Sequence, residues 1–110
     1  MAITPTATLQ CLAEPTRLRA LLLLHHWGAL CVCDLQAALG ESQPKISRHL
    51  RSLRDGGLVH DERRGRWVYY ALAPGRPPWL KNLLTELSHA HPEILEADLQ
   101  RLGSPQACEP

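Results

Sequence analysis

The chain has 110 residues, of which 45% are hydrophobic and 21% charged, and its formal net charge is only +1. This composition is typical of one globular domain and excludes an intrinsically disordered chain. No apolar run approaches the roughly 18 residues of a membrane span, and the first residues lack the features of a signal peptide. We therefore predict a cytoplasmic protein with no membrane partner, in which four cysteines need not form disulfides.

The small net charge conceals an uneven distribution along the chain. Residues 45–66 carry seven of the twelve basic side chains, opposed there by three acidic residues. From residue 82 onward, five acidic residues face a single basic one, Arg101. A basic segment within a nearly neutral protein indicates a surface that binds a polyanion.

The first half of the chain predicts four helices. A short helix is expected at residues 7–12, and Pro15 suits the first position of a second helix, which runs to about residue 26. The third helix has apolar residues at helical spacing and closes at Gly40, because glycine favours helix C-termini. Ser42 is the predicted N-cap of the fourth helix, whose narrow apolar stripe consists of Ile46, Leu50 and Leu53.

The second half predicts a hairpin and a further helix. Residues 58–62 and 67–72 are rich in Val, Tyr and Trp and predict two strands around a basic tip. Leucines mark a fifth helix that ends before Pro92, and three more leucines indicate a final helical piece. We place the domain at residues 1–103, followed by a flexible tail at residues 104–110. The predicted fold is mainly α with a small β-hairpin, in the order α-α-α-α-β-β-α: a dimeric winged helix-turn-helix.

Two short helices joined by "GES" and followed by a basic hairpin favour DNA binding. The second helix of such a unit can lie in the major groove, and a basic wing adds phosphate or minor-groove contacts. Scattered arginines usually mark only a solvated helix face, but here the basic helix, the Gly-Gly turn and the basic hairpin occur together. The predicted DNA-binding residues are Ser42, Gln43, Lys45, Ser47, Arg48, Arg51, Arg63, Arg64 and Arg66.

Three segments, "LAEPTRLRALLLL", "LCVCDLQAALGESQPKISRHLRSLRDGGLV" and "RRGRWVYYALAP", together resemble the ArsR/SmtB family of winged-helix metalloregulatory repressors, and in particular its arsenic-responsive branch. The resemblance covers roughly residues 9–87. It implies a homodimer on an operator, which we expect to be an inverted repeat, and loss of DNA binding when a metalloid engages the thiols. It also implies that the first and fifth helices pair across the dimer. The predicted interface residues are Leu9, Leu12, Leu80, Leu83, Leu84 and Leu87.

Within this resemblance, Cys31 and Cys33 match the metalloid-binding pair. Cys31 occupies the N-cap position of the third helix and Asp34 falls at N3, as in a capping box. A helix N-terminus favours the thiolate, and two thiolates favour soft ions. Side chains two residues apart diverge by about 200° on a regular helix. The sulfurs can converge only if the first turn unwinds or stays extended, so ion capture is expected to distort the start of this helix.

The third ligand stays open. Close relatives continue the motif as "CVCDLC", whereas this chain has Gln36, whose carboxamide is a poor ligand for soft metals. The site is then two thiolates plus hydroxide, or it recruits a distant thiol. Cys108 is the preferred recruit, because Cys11 is expected to be a buried small hydrophobe. As(III) or Sb(III) is the expected inducer, with no organic cofactor.

Two other functions compete with that of a metalloid-released repressor. One is a redox-responsive repressor of the same fold, although a disulfide between positions i and i+2 would be strained. The other is a small thiol oxidoreductase, against which the sequence lacks a phosphate-binding glycine loop and known catalytic motifs. We therefore predict no enzymatic activity. His49 and His60 are expected to be structural residues near the wing.

Overall fold

The computed structural model describes residues 4–105. Over this range the chain forms six helices and three strands: α1 (Pro5–Leu12), α2 (Pro15–Trp27), β1 (Ala29–Cys31), α3 (Val32–Leu39), α4 (Gln43–Asp55), β2 (Val59–Arg64), β3 (Trp67–Leu72), α5 (Pro78–Ala90) and α6 (Glu93–Leu102). None of the helices in residues 4–105 is both long and apolar enough to cross a membrane.

The helix boundaries follow from local capping chemistry. The Ser42 hydroxyl accepts a hydrogen bond from the Lys45 backbone N–H at 3.4 Å and begins α4, as predicted. Pro15 is the first residue of α2, also as predicted. Gly40 ends α3 in the left-handed conformation at φ 66°, which residues with a Cβ seldom adopt. Signals for helix ends were therefore readable from the sequence.

The sheet contains one strand that the sequence prediction lacked. Its order is β1-β3-β2, and β1 pairs antiparallel with β3 through Leu30↔Tyr70 and Cys31↔Tyr69. The predicted order α-α-α-α-β-β-α is corrected accordingly, and α6 is a full helix of ten residues. A three-residue strand is too short to show a periodic pattern in the sequence. It is stabilised by pairing with β3, which is distant in the sequence.

The core surrounds α2. Its four consecutive leucines from Leu21 to Leu24 are all buried, so this helix is enclosed on nearly all sides. The predicted inner stripe of α4 is confirmed, since Ile46, Leu50 and Leu53 are at most 1% exposed. Packing this stripe inward turns the polar face of α4 outward, beside the hairpin β2–β3. Helices α3 and α4 with this hairpin form a winged helix-turn-helix.

Half of the predicted dimer-interface residues lie inside the single chain. Leu80 and Leu84 are fully buried and Leu12 is 7% exposed, so these side chains have almost no surface left for a partner. Leucines at the same helical spacing can pack in the core of one chain or form an interface between two chains, and these three pack in the core. Leu83 and Leu87 are half-buried, and Leu9 is 51% exposed. The prediction of a dimer surface therefore concerns these three residues.

Helix α6 ends at Leu102, and Gly103 is its C-cap. The predicted domain boundary at residue 103 therefore falls one residue after the end of this helix. Residues 106–110, which include Cys108, lie outside the described residues. The division into a domain and a flexible tail therefore stays a prediction.

Candidate functional site

The outward face of α4 is polar and basic. Arg48 and Arg51 are exposed, and among residues 4–105 neither forms an ion pair. Lys45 is held by Glu41 at 3.2 Å, and Gln43 donates a hydrogen bond to the Ser47 hydroxyl at 2.7 Å. The two arginines are therefore the side chains of α4 best placed to contact phosphates or base edges.

The hairpin tip adds three exposed arginines on the strand ends and turn. Arg63, Arg64 and Arg66 are all exposed. Arg64 lies over the Tyr69 ring at 4.4 Å and within 3.5 Å of Glu62, so its guanidinium is oriented by neighbours on the wing. The structure thus places every predicted DNA-binding residue on α4, its N-cap or the tip of the wing.

The two sulfurs of Cys31 and Cys33 lie 3.0 Å apart. Cys31 is the last residue of β1 and the N-cap of α3, with extended backbone angles of φ −81° and ψ 168°. Cys33 is the second residue of the helix. The convergence expected from an extended helix start is therefore confirmed. Because the sulfurs already meet, bonding to one atom needs less unwinding of α3 than the sequence suggested.

The surroundings of the two sulfurs differ. Cys31 is 1% exposed, whereas Cys33 is exposed. The Asp34 carboxylate accepts a hydrogen bond from the Cys31 backbone N–H at 3.4 Å and lies 3.3 Å from the Cys31 sulfur. The Cys31 side chain is thus buried where the strand meets the helix cap, whereas the Cys33 thiol faces solvent.

The structure places no third soft ligand at the pair within the described residues. Residues 4–105 contain no group of three or more His, Cys, Asp or Glu side chains able to hold a metal ion. Cys11 is half-buried, with its sulfur directed at the Ser52 carbonyl at 3.9 Å, far from α3 in the sequence. The predicted ligand Cys108 lies outside the described residues. Gln36 lines a cavity beside the pair, together with Val32 and Trp67.

The opposite end of α3 is held by a charge network that the sequence analysis missed. Asp98 of α6 is 1% exposed and pairs with Arg19 of α2 at 2.6 Å and with Arg101. Arg19 donates to the Leu39 carbonyl at 3.2 Å, and Arg101 donates to the Ala38 carbonyl at 2.8 Å. Two of the last carbonyls of α3 thus receive guanidinium donors, which Asp98 orients. The Asp98 hydrogen bond also raises the pKa of Arg19.

His49 lies on the inner side of α4 and not near the wing, which corrects the prediction. It is 8% exposed, and its Nδ1 atom lies 3.3 Å from Arg17 and 3.7 Å from Glu14. Burial lowers the pKa of His49; the Glu14 carboxylate opposes this shift and Arg17 adds to it. Arg17 also donates to the Cys11 carbonyl at 2.8 Å. These contacts fix α4 against the junction of α1 and α2. His60 is exposed.

A helix-turn-helix whose outer helix and wing are both basic defines the class of DNA-binding transcription regulators. Residues 14–61 match the family described as "Bacterial regulatory protein, arsR family". The chain is 46% identical to an arsenic resistance transcriptional regulator of Pseudomonas putida, over 96% of this chain and 88% of that protein. It is 44% identical to the arsenical resistance operon repressor of Escherichia coli, over 90% of this chain and 85% of that protein.

The solved structure of HlyU from Vibrio cholerae is also similar, with a TM-score of 0.71 and 29% identity, covering 78% of this chain and 89% of that one. The chain belongs to the arsR family of bacterial regulatory proteins. The predicted resemblance, the winged-helix fold and the role of regulator rather than enzyme are thereby confirmed.

Proposed function

We propose that this protein is an arsenical-responsive transcriptional repressor, which binds operator DNA as a homodimer and releases it when trivalent arsenic or antimony bonds to Cys31 and Cys33. The observation that carries the proposal is the 3.0 Å separation of the two sulfurs at the start of α3. The relatives named for arsenic resistance support the same inducer class. Thiolates are soft ligands that suit trivalent arsenic and antimony. The two sulfurs need no large movement to bond to the same arsenic or antimony atom.

The DNA part of the proposal rests on charge and exposure. Arg48 is exposed without an ion pair among residues 4–105, at the centre of the outward face of α4. A two-fold dimer matches an inverted repeat whose half-sites lie about one helical turn apart. Arg48→Ala is expected to weaken binding and relax sequence preference. Arg64→Ala is expected mainly to reduce the dependence of binding on salt.

The DNA experiment first selects an operator from a random library with the wild-type protein and then measures fluorescence anisotropy over a range of salt concentrations. Replacement of the exposed His60 on the wing strand by Gln is the matched control for general effects on the surface. Equal affinity of the wild-type protein for random and selected DNA would contradict base reading by α4.

The inducer experiment measures the same anisotropy under reducing conditions, with and without arsenite or antimonite. Cys31→Ser and Cys33→Ser should bind the operator normally, because serine also caps helices, and should both lose release. A hundredfold loss of operator affinity corresponds to a coupling of about 2.7 kcal/mol, within the usual allosteric range. Cys11→Ser is the control and should respond like the wild type.

Two outcomes decide against this inducer mechanism. Release by arsenite from both cysteine variants would show that the pair is not the site. Release by an oxidant such as diamide, with no response to arsenite, would instead favour the redox-responsive repressor.

Cys108→Ser separates a third thiolate from a dithiolate site: a weaker response to arsenite would assign the ligand to Cys108.

The homodimer is best tested at Leu9, which is 51% exposed. Leu9→Glu places a charge on this surface without disturbing the core, and it should sediment as a monomer if α1 contributes to the interface. Gln10→Glu, at an exposed neighbouring position, is the control and should stay dimeric. Leu83 and Leu87 are less decisive, because both pack against the core and their replacement by glutamate also costs folding. A dimeric Leu9→Glu protein would place the interface elsewhere.

A further inference from the structure

Another cavity, of about 280 Å³, lies where α2, β3 and α5 meet. Three basic side chains line it together with Gly28 and an apolar wall of Leu24, Ala71 and Leu72. The basic residues are His25 of α2, Arg76 of the loop after β3, and Lys81 of α5. Among residues 4–105, no acidic side chain lines this space. We call it the cationic cavity.

The charges of Arg76 and Lys81 are not neutralised, since neither side chain forms an ion pair with another residue of 4–105. Arg76 donates to the Ala73 carbonyl through Nη1 at 3.0 Å and through its backbone N–H at 3.1 Å. This turn holds the guanidinium and leaves its other N–H groups for a ligand. A single exposed lysine needs no explanation, but Lys81 shares a cavity with a half-buried arginine and a half-buried histidine.

The third basic group, His25, is oriented by Thr85. The histidine Nε2 lies 3.2 Å from the Thr85 hydroxyl, which donates its proton to the Lys81 carbonyl at 2.9 Å. The hydroxyl therefore accepts from the ring, which assigns the proton of neutral His25 to Nε2. Burial lowers the pKa of His25, and the charges of Lys81, Arg76 and His26 lower it further. The basic groups around the cavity thus repel one another, and a bound anion would offset this repulsion.

We propose that the cationic cavity binds a doubly charged oxyanion of the phosphate class, held by Arg76, Lys81 and the protonated ring of His25. The inference goes beyond the proposed function and does not depend on it. Two permanent positive charges match a dianion. The guanidinium, the ammonium and the imidazolium together supply several N–H donors, which suit the oxygens of a tetrahedral anion. Binding makes no covalent bond, and His25 takes up one proton where the free ring is neutral.

The size and the position of the cavity argue against two other anions. One water molecule occupies about 30 Å³ of liquid, so a single chloride would leave most of the 280 Å³ unfilled. The apolar wall has room for the organic part of a phosphate monoester. The operator backbone is a poor candidate, because the basic tip lies at Arg64↔Trp67, whereas Val59↔Leu72 is the opposite end of the hairpin. Trp67 and Leu72 are separated by roughly 17 Å of strand.

The experiment is isothermal titration calorimetry of the full chain without DNA, at constant ionic strength and with chloride as the background anion. The probes are sulfate, inorganic phosphate, phenyl phosphate and acetate. Saturable binding of sulfate and phosphate is expected. Tighter binding of phenyl phosphate than of phosphate would assign the site to a phosphorylated small molecule, and equal affinities would assign it to the free ion. Tighter binding of acetate than of either dianion would overturn the phosphate class.

Charge-removing variants locate the bound ion. Lys81→Gln and Arg76→Gln should each weaken sulfate binding about tenfold, the loss expected for one charged hydrogen-bonding partner. Arg54→Gln is the matched control, because it removes the same charge at an exposed position beside Asp61 and outside the cavity. Its affinity for sulfate should stay within about twofold of the wild type. If Arg76→Gln does not fold, Lys81→Gln decides alone, since Lys81 is exposed.

The pH dependence tests the role of His25. Sulfate stays doubly charged between about pH 5 and 8, where histidine titrates, so a change of its affinity comes from the protein. The anion raises the lowered pKa of His25, and sulfate affinity should therefore increase several-fold as the pH falls through this range. His25→Gln cannot take up the proton and should remove the dependence, whereas His26→Gln, at an exposed position, should keep it. The ¹⁵N chemical shifts of the His25 ring report its protonation independently of affinity.

Three results would overturn the inference: no saturable binding of sulfate or phosphate by the wild type, equal affinities in Lys81→Gln and Arg54→Gln, or displacement of sulfate by the selected operator. An affinity of the wild type that does not change with pH would remove His25 from the site. The proposed function would stand in each case, because these measurements use neither arsenite nor the cysteine variants.

Discussion

The two ends of α3 are built in opposite ways. At its N-terminus, Cys31 and Cys33 lie at the edge of a cavity, and the helix start is fixed by a capping interaction with Asp34. At its C-terminus, two arginines held by the buried carboxylate of Asp98 donate to the last carbonyls. One end places two cysteines beside a cavity, whereas the other is tied to α2 and α6.

Under the proposed function, this difference bears on the route by which inducer binding at Cys31 and Cys33 would change the DNA-binding elements. The turn between α3 and α4 begins at Gly40, next to the end that Arg19 and Arg101 hold. Movement at the thiols is therefore opposed before it reaches the turn. Gln43 and Trp67, in contrast, line the same cavity as Cys31 and Cys33. We infer that the signal passes sideways across the cavity and not along α3 through the turn.

The largest effect on stability is expected from Asp98→Asn. This change removes the charge that orients Arg19 and Arg101. It should lower the free energy of unfolding by about 3 kcal/mol, the lower end of the range for a broken buried ion pair, because both arginines are partly exposed. Urea denaturation measures the loss. Glu96→Gln, on the exposed side of α6, is the control and should change little. A loss as small as that of the control would show that the C-terminal end is not anchored by this network.

The sequence revealed the N-terminal end of α3 better than the C-terminal end. Cys31, Asp34 and Gly40 lie within ten residues of one another, so a motif and capping rules were sufficient to predict their roles. Arg19, Asp98 and their contact with α3 join parts of the chain separated by 79 residues. Long-range pairs of this kind, like the pairing of β1 with β3, leave no local pattern in one sequence.

The same limit applies to burial. The spacing of Leu80 and Leu84 predicted an apolar helix face, and that face exists. Whether it covers the chain's own core or a second copy depends on what packs against it, and periodicity carries no such information. The outward position of Arg48 was predictable, since Ile46 and Leu50 fixed the inner side of α4 by helical geometry alone. The cavity beside the thiols was not predictable, because Trp67 reaches it through the tertiary fold.

An intermediate effect is expected from Gly40→Ala at the turn. Gly40 has φ 66°, and alanine in this left-handed region should cost about 1 kcal/mol in urea denaturation. Space is not the obstacle, since an added Cβ would lie 3.7 Å from Arg101 Nε. Gly40→Asn is the control and should cost less, because asparagine tolerates this region.

The same pair of variants tests the route of the signal. If it crosses the cavity, the ratio of operator affinities with and without arsenite should stay near the wild-type value in both Gly40 variants. A large decrease of this ratio in Gly40→Ala alone would show that the signal travels through the turn.

The smallest effect on stability is expected at the thiols, together with the largest effect on function. Cys33 is exposed at the second position of α3, so Cys33→Ser should change the free energy of unfolding by less than about 0.5 kcal/mol, as surface substitutions usually do. Urea denaturation in the absence of inducer measures this change, and operator release by arsenite should be lost in the same preparation.

Asp98→Asn should show the reverse pattern, a large loss of stability with the thiol chemistry retained below its unfolding transition. Because Cys33 lies at one end of α3 and Asp98, on α6, orients the arginines that hold the other end, this crossed result would separate sensing from anchoring. A Cys33→Ser protein as unstable as Asp98→Asn would mean that the thiol-bearing end is itself structural, and loss of release in that variant would no longer identify an inducer site.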